Sequence, residues 1–88
     1  MNNEHSLHEI ITVIAIFKPG NQVCLPIKFR RANGREVVVS ELGLRHPAPR
    51  GNQLIHIFDV TDGQSEYRLE FNARTLVWRL TREAVYEY

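Results

Sequence analysis

Closely spaced turn residues constrain this chain more than any other feature of its sequence. They divide the 88 residues into short segments rich in β-branched and aromatic side chains. The turn signals lie at Pro19-Gly20, Asn33-Gly34, Gly43, Pro47, Pro49, Gly51 and Asp62-Gly63. Glycine, proline and Asx-Gly pairs mark turns, whereas β-branched and aromatic residues favour strands. The pattern therefore predicts an all-β chain.

The segment from Glu9 to Phe17 is predicted as the first strand. A helix is the alternative, because Leu7, Ile10 and Ile14 also fit helical spacing. The β-branched residues and the nearby Pro19 favour the strand. This strand is apolar on both faces, so we expect it to lie centrally in a sheet or to be covered by something else.

The pair Asn33-Gly34 predicts a β-hairpin. Both residues tolerate positive φ, as a type I′ turn demands, so Val23–Arg31 should pair antiparallel with Arg35–Leu42. The first of these strands contains Pro26, which has no amide hydrogen to donate. We therefore expect that strand to lie at an edge or to be bulged at Pro26.

The second half of the chain is predicted as a loop followed by three strands. The loop covers residues 43–52, and the strands are Gln53–Thr61, Ser65–Phe71 and Thr75–Thr81. Alternation in the last two strands predicts a set of core side chains. They are Tyr67, Leu69, Phe71, Leu76, Trp78 and Leu80.

Together these segments predict about six antiparallel strands in meander order. A small antiparallel barrel or a strongly curled sheet is the expected architecture, because closure hides strand edges. No linker divides the chain, so one β domain is expected over residues 9–82. Residues 1–8 are interpreted as a flexible N-terminal tail and residues 83–88 as a C-terminal tail.

Cysteine content and hydropathy bear on the compartment. The single cysteine, Cys24, excludes an intramolecular disulfide and fits a reducing environment. The longest apolar run is far shorter than the roughly 20 residues of a membrane helix. The first residues also lack the cationic region of a signal peptide. We therefore expect a cytoplasmic protein with no membrane partner.

A set of marks in this order resembles a known pattern. The marks are Phe17, Pro26, Phe29, Gly34-Arg35, Asp62-Gly63, Tyr67, Leu69, Trp78 and Leu80. The pattern is similar to that of a family of small bacterial all-β proteins, found alone or as short appended domains, that has no established chemistry. The resemblance would span residues 10–82. It implies a barrel-like fold type and no functional residues.

The sequence contains none of the motifs that carry common catalytic or metal chemistry. It has no G-x-S-x-G, H-E-x-x-H or P-loop pattern and no cysteine pair. Cys24 is interpreted as a small half-buried strand residue, and His56 as a packed, hydrogen-bonded residue on a core face. The acids Asp59, Asp62, Glu66 and Glu70 are interpreted as solvated turn and strand residues. We expect a non-enzymatic protein with no catalytic, cofactor or metal residues.

Charge is unevenly distributed along the chain. The total is +1, but residues 18–50 carry seven bases and two acids. Arginine suits bidentate phosphate contact, so this region suggests a nucleic-acid backbone as a partner. A solvated face is the other interpretation, because the aromatic residues alternate into the core instead of being free to stack on bases. The candidate anion contacts are Lys28, Arg30, Arg31, Arg35, Arg45 and Arg50.

Protein–protein association is the leading functional hypothesis. The first strand needs cover on both faces, and Pro26 implies a sheet edge nearby. A homodimer, or strand addition from a partner, would satisfy both requirements. The sequence therefore predicts a binding or adaptor module that acts through protein contacts. RNA or DNA binding through the basic hairpin of residues 28–35 is the alternative.

Overall fold

A computed structural model describes residues 2–20 and 24–86 of the chain. Those residues form a single curled sheet of seven antiparallel strands, which confirms the all-β prediction. The strands are β1 (Asn2–Ile16), β2 (Leu25–Arg30), β3 (Glu36–Val38), β4 (Glu41–Arg50), β5 (Gln53–Thr61), β6 (Ser65–Asn72) and β7 (Val77–Tyr86). The count is one higher than the six predicted.

The order of the strands requires the sheet to curl into a half-barrel. The order is β3-β2-β1-β7-β6-β5-β4, so β3 and β4 lie at opposite ends. Only Val39 and Ser40 connect them in the chain. The amide of Val39 donates to the carbonyl of Ile27 in β2 (2.9 Å), and the amide of Ser40 donates to the carbonyl of Thr61 in β5 (2.8 Å). The chain thus changes its pairing partner within two residues, which divides the predicted third strand into two.

The predicted loop over residues 43–52 is wrong for most of its length. Residues 41–50 form β4, which pairs with β5 from Glu41↔Thr61 to Arg50↔Gln53. Its two prolines suggested a loop because proline cannot donate to a ladder. An edge strand leaves one side unpaired, so proline is tolerated there.

The Asn33-Gly34 hairpin forms, but its turn differs from the predicted type. β2 and β3 pair antiparallel, with Phe29 opposite Val37. Three residues, Ala32 to Gly34, connect Arg31 to Arg35, whose backbones are bonded at 2.8 Å. Gly34 has φ +90°, but Asn33 is not among the described residues with positive φ. The expected type I′ turn, which needs positive φ at both positions, is therefore wrong.

Pro26 lies beside a bulge, as its missing amide hydrogen predicted. Ile14 pairs with Lys28 and Ala15 pairs with Pro26, which leaves Ile27 as an extra residue in β2. The bulge shifts the alternation, so Pro26 and Phe29 are both buried. The predicted two-face pattern of β2 is interrupted for this reason. Val23, the first residue predicted for this strand, lies outside the described residues.

One hydrophobic core fills the concave side of the sheet. Tyr67 and Leu69 are fully buried and Phe71 nearly so, as alternation predicted. The Tyr67 ring meets that of Phe29 edge-on, with centroids 5.3 Å apart. The core cluster consists of Ile11, Cys24, Phe29, Val37, Phe58, Val60, Tyr67, Leu69, Phe71, Trp78 and Leu80. Two predictions fail here, since Leu76 is exposed and Glu70 is buried.

Both predicted tails contain paired strand. β1 begins at Asn2 and β7 ends at Tyr86, and these two residues are partners in one ladder. The described strands therefore extend beyond residues 9 and 82. No helix in the described residues is long and apolar enough to cross a membrane.

Replacing Gly34 should separate backbone strain from steric crowding. A Cβ atom at this position would meet nothing within 4 Å. Gly34→Val should therefore lower the free energy of unfolding through strain alone, by about 1–2 kcal/mol. Gly34→Asn should cost less, because asparagine adopts left-handed backbone more easily. Urea unfolding of both variants measures this, and equal losses would contradict the strain argument.

Candidate functional site

The six candidate cations do not form one surface. Lys28 and Arg30 share the outer face of β2, where both contact the carboxylate of Glu36 in β3, at 3.3 and 2.8 Å. Hydrogen bonds from both cations lower the pKa of Glu36, with that from Arg30 the larger cause. Arg35 is exposed at the neighbouring turn. This small cluster is partly neutralised by its own acid.

Arg31 is a structural residue and not a surface contact. Its guanidinium donates to both carboxylate oxygens of Glu9, at 2.9 and 3.2 Å, and to Glu83 at 3.0 Å. The three side chains are only 13–20% exposed. The hydrogen bond from Arg31 lowers the pKa of Glu9 and, in return, raises that of Arg31. Arg31 therefore joins the β2–β3 turn to β1 and β7.

The last two candidates lie on β4, away from the basic hairpin. Arg45 is opposite Phe58 in the ladder and so lies on the core side, half-buried, with its Nη1 unpaired among the described residues. Arg50 forms a two-pronged contact with Glu70, at 2.6 and 3.1 Å. That contact explains why Glu70, predicted to be solvated, is buried.

The remaining candidate residues form no reactive set. Cys24 is more buried than predicted, and that burial raises the pKa of its thiol and so disfavours the nucleophilic thiolate. His56 packs against Phe71, with ring centroids 6.4 Å apart. Asp62 accepts hydrogen bonds from the turn amides of Gln64 and Ser65. No group of three metal-ligating side chains occurs among the described residues.

The convex face of β1 exposes a stripe of large aliphatic side chains. Ile10, Ile14 and Ile16 are 62%, 57% and 43% exposed, although β1 is central in the sheet. Ile14 is aligned across β2 with Val38, which is also exposed. The first strand was predicted to need cover on both faces. The sheet covers its concave face and leaves this one open.

The same strand also has a free backbone edge. β1 pairs with β7 only as far as Ile11↔Trp78, whereas its pairing with β2 continues to Ile16. β7 begins at Val77, directly after Leu76, whose φ of +62° turns the chain away. Between residues 12 and 16, β1 therefore has no partner on this side among the described residues. We call this segment the β1 edge.

An open, shallow cavity of about 400 Å³, lined mainly by apolar side chains, lies beside the β1 edge. Its floor includes the stacked rings of Phe71 and Trp78, whose centroids are 4.5 Å apart. Phe17 and Leu76 form its rim and are 64% and 72% exposed. Residues 11–13 of β1 complete the lining. The cavity thus lies where the concave-facing side chains of one further strand would be.

The two end strands of the sheet are poor sites for strand addition. β3 is only three residues long. β4 is longer but carries Pro47 and Pro49, which have no amide hydrogens and block a regular ladder. The β1 edge contains no proline and no glycine. It is therefore the described edge best suited to pair with another chain.

Sequence reasoning missed this edge and its cavity. The apolar character of both faces of β1 was the available signal. The start of β7 at Val77 was not predicted, because Leu76 was expected to face the core inside a regular strand. Nothing in an isolated leucine indicates left-handed backbone.

Comparisons with known proteins give no relative. No family model matches the chain, and no curated protein or solved structure matches it either.

Two neighbouring arginines should differ sharply in their effect on stability. Arg31→Ala leaves Glu9 and Glu83 half-buried without their shared cation, which should cost about 3–5 kcal/mol. Arg30→Ala removes a 61% exposed side chain, so its effect should be small. Urea unfolding of the two variants tests this, and similar losses would show that the Arg31 contacts do not hold the strands together.

The Glu9–Arg31 contact should also make stability depend on pH. Because the folded-state pKa of Glu9 is lowered from 4.5, the contact stabilises fully above that value. Its contribution is lost as pH falls through the lowered folded-state pKa. Glu9→Gln should be less stable than the natural chain at neutral pH but should lose less stability below pH 4.5. Parallel acid-unfolding curves for the two proteins would contradict this.

Proposed function

We propose that this chain is a non-enzymatic protein-binding module that accepts an extended segment of a partner as an extra strand along the β1 edge. The observation that carries the proposal is the combination of a free, proline-free strand edge with an apolar cavity at its side. In strand addition, backbone hydrogen bonds give affinity and pockets for alternate side chains give specificity.

The two faces of β1 support this mode of binding. A strand beside residues 12–16 would direct alternate side chains to the concave and convex sides. Those on the concave side would enter the cavity over Trp78. Those on the convex side would lie beside Ile14 and Ile16, which are now exposed. One added strand would thus fill the cavity and contact the exposed side chains of Ile14 and Ile16.

The backbone of Leu76 is a second argument. A bulky residue with φ +62° is unfavourable, and its 72% exposed side chain gains little from burial. Leu76 therefore adds little to the stability of the fold. Its position on the cavity rim gives the side chain a role in contacting a partner, and strained residues do cluster at binding sites.

Nucleic-acid binding has weaker support than protein binding. Of the six candidate cations, Arg31 and Arg50 contact partly buried acids, and Lys28 and Arg30 share Glu36. The exposed aromatic residue Phe17 lines the apolar cavity, and none of those cations is part of that lining. A cytoplasmic location remains a prediction from the lone cysteine.

A peptide-display selection tests the proposal without requiring the natural partner. Selection of random ten-residue peptides on the whole chain should enrich sequences with apolar residues at alternate positions. Ile14→Lys should weaken their binding at least about tenfold, because a charge on a strand edge opposes pairing. Leu44→Lys is the matched control, since Leu44 is 55% exposed but lies on β4. Equal binding by both variants would refute the site.

Leu76 should show opposite effects on stability and on binding. Leu76→Asn relieves the left-handed strain and should raise the free energy of unfolding by about 0.5–1 kcal/mol. The same variant loses part of the cavity rim, so the selected peptides should bind it more weakly. Thermal unfolding and peptide titration of one preparation measure both effects. If the variant is less stable than the natural chain, the strain argument for Leu76 is wrong. If it binds the peptides normally, Leu76 does not contact the partner.

A further inference from the structure

Two cations without ion-pair partners among the described residues lie close in the chain to residues of the cavity rim. Lys18 directly follows Phe17, and Arg74 lies two residues before Leu76 in the β6–β7 turn. Both are exposed, and neither forms an ion pair within the described part of the chain. We call Lys18 and Arg74 the basic rim.

The nearby surface reinforces this positive charge. Arg30 and Lys28 belong to β2, where they are the ladder partners of Thr12 and Ile14 of the β1 edge, and they share the single carboxylate of Glu36. With the basic rim, four cations and the single acid Glu36 lie close to the β1 edge or the cavity rim, either in the ladder or in the chain. A partner segment should therefore carry acidic residues, because complementary charge favours encounter and register.

The same charges argue against a second copy of this chain as the occupant. Two β1 edges paired about a two-fold axis would bring both copies of Lys18 and Arg74 to one interface. Like charges close together in a small interface oppose association. The β1 segment itself contains no acid between residues 10 and 17 that would compensate.

The cavity favours an aromatic side chain in the partner. Its floor and rim include the aromatic rings of Phe17, Phe71 and Trp78. Aromatic rings gain from edge and offset contacts with other rings beyond the area that they bury. A ring on the concave side of the added strand would reach this floor.

We propose that the partner segment is an extended peptide with one aromatic residue for the cavity and acidic residues at its ends. This inference rests on the proposed function, because it requires strand addition at the β1 edge. It adds the chemical class of the segment. The aromatic residue would set the register along β1, and the acids would contact the basic rim.

A designed peptide tests the inference directly. The probe is a ten-residue peptide of alternating threonine and valine, with a central phenylalanine in place of one valine and two glutamates at each end. Trp78 is the only tryptophan of the chain and lies on the cavity floor, so its emission reports occupancy. Isothermal titration measures the same affinity independently of emission.

Two changed peptides should each bind about tenfold more weakly, one with lysine for the glutamates and one with alanine for the phenylalanine. The lysine effect should vanish at high salt, because salt screens exposed charges. The double variant Lys18→Glu, Arg74→Glu should reverse the preference and bind the lysine peptide better. The control variant Arg35→Glu changes an exposed arginine at the β2–β3 turn. It should leave the preference for the glutamate peptide unchanged.

The possible outcomes separate the two proposals. If glutamate, lysine and alanine peptides bind equally well, the acidic aromatic segment is refuted while strand addition stands. If neither these peptides nor displayed ones bind, strand addition itself is refuted. Tighter binding of a single-stranded oligonucleotide at the same site would show that the basic rim serves nucleic acid. A dimer in sedimentation measurements whose formation changes the emission of Trp78 would show that a second copy is the occupant.

Discussion

The two-residue connection through Val39 and Ser40 determines the shape of this sheet. It joins strands at opposite ends of the strand order, so those ends must lie close together in space. A flat sheet of seven strands would separate them by about 28 Å, at the usual spacing of 4.7–4.9 Å. The curl therefore follows from chain connectivity, and it creates the concave side that holds the core.

The curl also explains why a central strand has an unpaired segment. β1 has 15 residues and extends beyond the first residue of β7, which has ten. The concave side of the sheet is closed near Val39 but open where β7 begins. Phe71 and Trp78 are thus close to the surface although both are buried. The candidate site lies here because no described strand pairs with residues 12–16 of β1 on the β7 side.

The sequence predicted those features that depend on local residue chemistry. Asn33-Gly34 predicted its hairpin, alternation predicted Tyr67 and Leu69 in the core, and Pro26 predicted a bulge. The failures have long-range causes. Pro47 and Pro49 resembled loop residues because tolerance of proline depends on lying at a sheet edge. The role of Arg31 depends on Glu9 and Glu83, which are far from it in the chain and meet it only after folding.

The sequence predicted that β1 needs a covering partner, but it did not predict where the candidate site lies. The apolar faces of β1 indicated that something must cover them, but the position of the gap depends on the backbone of Leu76. Likewise, the sequence located an excess of positive charge over residues 18–50 without its arrangement. The sheet separates most of those cations from one another. The proposed basic rim combines Lys18, which belongs to that region, with Arg74, which lies outside it. Distance in space and not along the chain decides which charges act together.

Amide hydrogen exchange across residues 12–16, with and without a selected peptide, tests strand addition most directly. In the free chain, the amides of this segment that point away from β2 have no acceptor among the described residues and should exchange rapidly. Peptide binding should protect those alternate amides and leave β4 unchanged. Unaltered exchange at residues 12–16, or new protection confined to residues 41–50, would contradict the account.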